Sequence, residues 1–101
     1  MFVKAKEAFG RIDVVYNNAG IAAIGEIEGT PYDVVNKLFD VDFWAAVNVS
    51  KEAVRFFREE NVPKGGRLIN VSTLAAGKPT AGIGFYGARY VYNFLLIIFV
   101  C

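Results

Sequence analysis

Tyr86, Thr73 and Ser72 carry hydroxyl groups, a side-chain type that could do chemistry. A phenol can donate a proton to an oxygen that gains charge in a transition state, and a hydroxyl can hold that oxygen in line. Free tyrosine titrates at about 10, so it works near neutrality only where a neighbouring cation favours the phenolate. Ser72 and Thr73 close the run Arg67-Leu68-Ile69-Asn70-Val71, and Tyr86 follows a loop of small residues that ends at Gly84. A second polar group, Asn18-Ala19-Gly20, closes the run Asp13-Val14-Val15-Tyr16-Asn17. Each has a plain alternative. Asn and Gly are ordinary turn formers, and Tyr86 is one more aromatic in a chain that is 15% aromatic.

The elements that must position these residues alternate along the chain. Met1 to Phe9 favours helix and is closed by Gly10, which reads as the last turns of a helix with a glycine cap. Asp13 to Asn17 is short, β-branched and aromatic, the signature of a buried strand in a parallel sheet. Thr30-Pro31-Tyr32-Asp33 offers an N-cap hydroxyl, a proline for the first helical position and a carboxylate for the first turn. A helix is therefore expected from Pro31. Val34, Leu38, Val47, Val54 and Phe57 continue at helical spacing, with Asp40 and Asp42 marking a break between a short helix and a long one. Gly65-Gly66 ends the connection, Arg67 to Ser72 supplies a second buried strand, and Tyr86 is expected near the start of another helix. Strand, helix, strand, helix is the order of a doubly wound parallel sheet with right-handed crossovers. Two strands cannot complete that sheet and no further strand candidate stands out. The expected fold is thus α/β, a partial, Rossmann-like parallel sheet with central strands and helices only.

Bulk properties exclude several function classes. The 101 residues are 54% hydrophobic and 21% charged, a core-forming composition sized for one modest domain. Eleven basic and ten acidic residues leave a net charge of +1 with no basic run, so a nucleic-acid partner is not expected. Cys101 is the one cysteine and histidine is absent, which removes internal disulfides and the usual metal-ligand sets. Met1 to Gly10 lacks the apolar stretch of a signal peptide, and Phe94 to Val100 is too short to span a bilayer as a helix. The expected location is cytoplasmic, with no membrane partner.

Three segments carry a resemblance to a known family. Gly10-Arg11-Ile12-Asp13-Val14-Val15-Tyr16-Asn17-Asn18-Ala19-Gly20 resembles the G-x-I-D-x-L-V-N-N-A-G segment of the short-chain dehydrogenase/reductase family. Gly66-Arg67-Leu68-Ile69-Asn70-Val71-Ser72-Thr73-Leu74-Ala75-Ala76 is similar to its G-R-I-I-N-I-S-S-x-A-G, and Tyr86-Gly87-Ala88-Arg89 stands where its Y-x-A-S-K belongs. The three come in the family's order and at its separations, from about Ala5 to Arg89. The resemblance implies a carbonyl or alcohol substrate and hydride transfer with NAD or NADP. Tyr86 is then the catalytic acid. The family sets its catalytic hydroxyl thirteen residues before that tyrosine, which lands on Thr73, with Ser72 second. Asn18, Ala19, Gly20 and Tyr86 fall on the nicotinamide side of the cofactor. A homo-oligomer is a further implied partner.

Two departures accompany the match. The family's relay asparagine falls on Asp42, and an ionised aspartate accepts hydrogen bonds where asparagine can also donate. The family's lysine one helical turn after the tyrosine falls on Tyr90, four residues after Tyr86, and Arg89 is not its equivalent. No Gly-rich pyrophosphate turn occurs in these residues, and the family places it upstream of N-N-A-G, so the adenosine and phosphate sites are expected to be absent. The chain divides into 1–89, a central fragment of the domain, and 90–101, an apolar tail in which the resemblance stops in mid-motif. The tail is expected to be translated intron: AG followed by GTATGT reads as arginine, tyrosine and the start of valine, the order of Arg89-Tyr90-Val91. As written, the chain is expected to be inactive. The competing reading is a non-catalytic module that pairs with intact family members through the helix near 41–60.

Overall fold

The computed structural model describes residues 1–73, 77 and 81–88, together with the backbone of 98–100. Helix α1 (Phe2–Phe9) leads into strand β1 (Val14–Asn17). After a loop come α2 (Tyr32–Phe39), one π turn (Asp40–Trp44), α3 (Ala45–Glu59) and strand β2 (Gly66–Asn70). Residues 84–88 are helical, so Tyr86 sits inside a helical segment, as its place in the sequence suggested. Strand β3 (Ile98–Val100) completes a sheet of order β1-β2-β3.

The pair β1 and β2 is parallel, with Val14 opposite Arg67 and Asn17 opposite Asn70. The expected parallel α/β core is therefore present. β3 runs antiparallel on the other edge of β2, with Leu68 opposite Ile98 and Gly66 opposite Val100. This corrects the expectation that no further strand candidate exists: a run of β-branched and aromatic residues suits a strand, and β2 offers it an edge. The intron reading of 90–101 otherwise falls on 90–97 and 101, which lie outside the described residues, as do 74–76 and Arg89.

One face of the sheet is covered. α3 is amphipathic and buries Ala46, Ser50, Ala53, Phe56 and Phe57. Ala53, Phe56, Phe57 and Leu68 form the core, with Phe2, Ile12, Val15 and Val54 packed around it. Gly66 is required here, because a Cβ at that position would lie 2.6 Å from Phe57 Cγ, inside van der Waals contact. α1 reaches the same side through the Phe2–Phe56 ring contact at 5.8 Å and the Lys6–Glu60 ion pair. Gly10 ends α1 at φ 80°, with its N–H on Lys6 C=O at 2.7 Å, the glycine cap read from the sequence. Asn61, 1% exposed, accepts from Ile12 N–H and donates to the carbonyls of Ile12 and Gly65, which fixes the entries to both parallel strands.

The other face is open among the described residues. Val14 and Tyr16 are 49% and 62% exposed, and Arg67 and Ile69 lie outward on β2, so both strands are half-buried where burial on both faces was expected. A parallel strand loses water on both sides only where helices cover both faces, and here α3 packs on the sheet from one side, with α1 held against α3. The helix boundaries also differ by a residue. Pro31 is extended at ψ 144°, so the first helical residue is Tyr32 and Pro31 occupies the cap. Thr30 does not cap it; its hydroxyl donates back to Glu26 C=O at 2.6 Å. The expected boundary between a short helix and a long one falls at Asp40 and Asp42, where a π turn separates α2 from α3 and the chain stays helical through it.

Candidate active site

The parallel register brings the sequence-predicted residues to one edge. Asn17 and Asn70 end their strands level with each other, and Val71 N–H donates to Asn17 C=O at 3.1 Å, one step past the ladder. Asn18, Ala19 and Gly20 leave β1, and Ser72 and Thr73 leave β2, at this same C-terminal edge. Loops at the carboxyl ends of parallel strands are where open α/β sheets bind ligands. Asn18, Ala19 and Gly20 are exposed, whereas Ser72, Thr73 and Tyr86 are half-buried. Ser72 was read as strand; it stands in the loop, because the ladder stops at Asn70.

The loop that follows Gly20 ties the remaining pieces to this edge. Ile21 N–H donates to Asp42 Oδ1 at 2.8 Å, so the side chain in the π turn holds the loop by accepting a hydrogen bond. Asp42 is 1% exposed. An asparagine oxygen could accept the same bond, and only the amide could donate a further one. Gly25 N–H donates to Gly82 C=O at 2.8 Å, and Gly87 N–H donates to Ile83 C=O at 2.8 Å within the segment that carries Tyr86. The loop that follows N-N-A-G is therefore bonded to the helical element with Asp42 and to the turn at Gly82 that leads into the helical segment with Tyr86.

Beneath the edge lies a polar network that was not singled out in the sequence. Asn17 Nδ2 donates to Asn70 Oδ1 at 2.9 Å, and Asn70 Nδ2 donates to Ser50 Oγ at 3.2 Å. Ser50 and Asn70 are 6% and 7% exposed. The network joins β1, β2 and α3 immediately before the residues that leave the sheet. The signal was present: an asparagine inside an apolar strand and a serine on the apolar face of a helix each demand a partner when buried.

The chain belongs to the short-chain dehydrogenase/reductase family. The profile of the short chain dehydrogenase family matches residues 1–89. An uncharacterised oxidoreductase of Schizosaccharomyces pombe is 36% identical over 87 residues, covering 86% of this chain and 29% of that protein. The structure of ElxO with NADP bound matches with a TM-score of 0.79 at 25% identity, over 91% of this chain and 36% of that one. A short chain dehydrogenase from Mycobacterium smegmatis superposes with a TM-score of 0.86 over 94% of this chain and 38% of that one; at 21% identity it shows the fold alone. The chain thus spans about a third of the length of the curated relatives it matches, 29% to 36% for the first three. No helix among the described residues is long and apolar enough to cross a membrane.

Proposed function

We propose that the chain is the central portion of an oxidoreductase that interconverts a carbonyl and an alcohol by hydride transfer with NAD or NADP. The observation that carries the reading is the common edge: the exits of two parallel strands, bearing Asn18 to Gly20 and Ser72 with Thr73, and the turn at Gly82, bonded to the loop after Gly20 and leading into the helical segment that bears Tyr86. The residues fit the nicotinamide end of such a cofactor. Asn18, Ala19 and Gly20 are exposed and small, so their backbone is open to a flat ring. The nicotinamide, when bound, gives or takes the hydride. A relative with NADP bound supports a dinucleotide of this kind.

Tyr86 supplies or removes the proton at the substrate oxygen, and Thr73, with Ser72 beside it, orients that oxygen. Asp42 acts at one remove, by holding the loop after Gly20. The set as written lacks two parts. Tyr90 stands where the family's lysine falls, and the sequence holds no Gly-rich pyrophosphate motif. The purified chain is therefore expected to consume neither NADH nor NADPH with carbonyl substrates. Steady consumption above a Tyr86→Phe control would overturn this. In a longer parent that has both parts, Tyr86→Phe should abolish turnover and leave cofactor binding nearly unchanged, since the phenol acts in the chemical step.

The division at Arg89 belongs to the same proposal. The reading of 90–101 as translated intron rests on the break in mid-motif after Arg89, where the family's serine and lysine are not found. A spliced transcript that reads straight through Tyr90 to Cys101 and stops would refute it. One observation favours the second reading, a module pairing with intact family members: Trp44, at the start of the helix near 41–60, is 55% exposed with its ring edge-on to Phe43 at 4.8 Å.

A further inference from the structure

We infer that the turn Gly82-Ile83-Gly84 is a positioning element: by clasping the loop after Gly20 it seats the helical segment that bears Tyr86, so that loop and phenol are placed together. The inference rests on the role proposed for Tyr86. Three hydrogen bonds make the path, each at 2.8 Å. Ile21 N–H donates to Asp42 Oδ1 and anchors the start of the loop on the π turn. Gly25 N–H donates to Gly82 C=O, and Gly87 N–H donates to the next carbonyl, that of Ile83. The turn thus holds the loop through one carbonyl and starts the helical residues 84–88 through the other. A first helical turn is costly to form by itself. A carbonyl already fixed in front of it lowers that cost.

Both sides of the clasp are built for it. Glu26 C=O accepts from Gly29 N–H at 3.2 Å and from the Thr30 hydroxyl at 2.6 Å, which closes 26–30 into a turn of its own. Gly25 sits against that turn. A Cβ on Gly25 would lie 2.8 Å from Thr30 Oγ1, an atom held in place by its bond to Glu26. On the other side Gly82 has φ 77°, in the left-handed region that asparagine tolerates and a β-branched residue rarely enters. Space does not demand the glycine there, since the nearest atom to a Cβ on Gly82 would be Ile24 Cγ2 at 3.9 Å. The demand is conformational. Side chains complete the contact: Ile24 lies beside Gly82, and a Cβ on Gly84 would come within 2.9 Å of Ile27 Cδ1.

Amide exchange and NMR of the tyrosine rings test this on the full 101-residue chain, with the Tyr86 ring assigned by its loss in Tyr86→Phe. Gly82→Val puts a β-branched residue at the left-handed position. Protection of the Gly25 amide should then fall about tenfold and the Tyr86 ring signals should move, while protection at Leu68 stays at its wild-type level. Gly82→Asn, which suits the same space and conformation, should leave both readouts where they are. Gly25→Ala should repeat the effect from the loop side. Adding Thr30→Ala to it should bring both readouts back, since the crowding oxygen is gone. If Gly82→Val fails to fold, the Gly25 variants decide. A Gly25 amide that exchanges at the free-peptide rate in the wild type would overturn the inference. So would Tyr86 signals that stay put once Gly25 protection is lost, because loop and phenol would then be placed independently. Equal losses in Gly82→Asn and Gly82→Val would overturn it too, since the left-handed turn would not be what holds the loop. None of these readouts needs turnover, so failure of the clasp is distinguishable from failure of the hydride-transfer reading, which would leave the clasp in place.

Discussion

The floor of the sheet and its rim are held by different forces. On the floor, Ala53, Phe56 and Phe57 of α3 press on Leu68, each 2% exposed or less, and the contact is apolar throughout. At the rim, a few ångströms along the same strands, the buried groups are Ser50, Asn70 and Asp42, and they are held by directed hydrogen bonds. Apolar burial tolerates exchange of one side chain for another of similar volume. A buried amide tolerates little, because each unmatched donor or acceptor costs its desolvation. The floor makes the frame, and the rim places the residues that leave it.

If the floor is the frame, breaking it should remove the rim as well. Phe57 is fully buried against Leu68 and leaves no room for a Cβ on Gly66. Phe57→Ala removes the ring's burial and opens a cavity, a loss of about 3–5 kcal/mol. For a domain of this size that is a large share of the roughly 5–15 kcal/mol available. Chemical denaturation should show little or no cooperative folding, with exchange protection lost at Asn17 and Asn70 together with Leu68. A loss below about 1 kcal/mol would show that the core is not what holds the strands together.

The rim can be tested without touching the floor. Asn70→Ala strips the acceptor from Asn17 Nδ2 and the donor from Ser50 Oγ, for a loss of about 1–3 kcal/mol. Ser50→Ala alone should cost less, and the double variant should cost less than the sum, because both changes break one bond. Strict additivity in the double-mutant cycle would mean that the Ser50–Asn70 bond contributes nothing. Retained protection at Leu68 with loss at Val71 would separate the two regions most sharply.

The same contrast decides what could be read from the sequence. The floor was legible because apolar spacing is periodic: Val54 and Phe57 at helical intervals, Leu68 in an apolar run, and glycines at 10 and 66 where the chain turns or packs closely. Tyr86, Thr73, Ser72 and Asn18 to Gly20 were legible as motif residues, and the register then placed the strand exits together. The Asn17–Asn70–Ser50 network was not, since sequence spacing does not say which buried polar groups meet across 20 and 53 residues. β3 was missed because a short apolar run is compatible with strand or helix until an edge selects it. The half-open sheet was missed because hydrophobicity shows what would be buried, and Val14 and Tyr16 are not covered by any described element.

The smallest expected effect lies at the far end of the floor, where charge joins α1 to α3. Glu60 is held below its ordinary carboxylate pKa of 4.5 by the hydrogen bond from Lys6 and then by Arg55, and Glu52 is lowered by its hydrogen bond from Arg55. Arg55 is pushed up in turn, first by Glu52 and then by Glu59. A carboxylate whose pKa is depressed on folding stabilises the fold above its unfolded pKa. That contribution is lost as pH falls through the folded value. The window therefore opens on the acid side of about pH 5, and raising the pH from neutrality does not engage it. These side chains are a third or more exposed, so solvent and salt screen the effect and it should be modest. Thermal unfolding should show a melting temperature that declines below about pH 5, with a shallower decline in Glu60→Gln and in high salt. Exchange protection in α1 should fall before protection at Leu68, because α1 is held by Lys6, on Glu60 and over the Phe56 ring, and by Phe2 at the margin of the core, whereas Leu68 lies inside it. An acid slope identical in wild type and Glu60→Gln would remove the ion pair from the account of how α1 is held and leave the Phe2–Phe56 contact as its anchor.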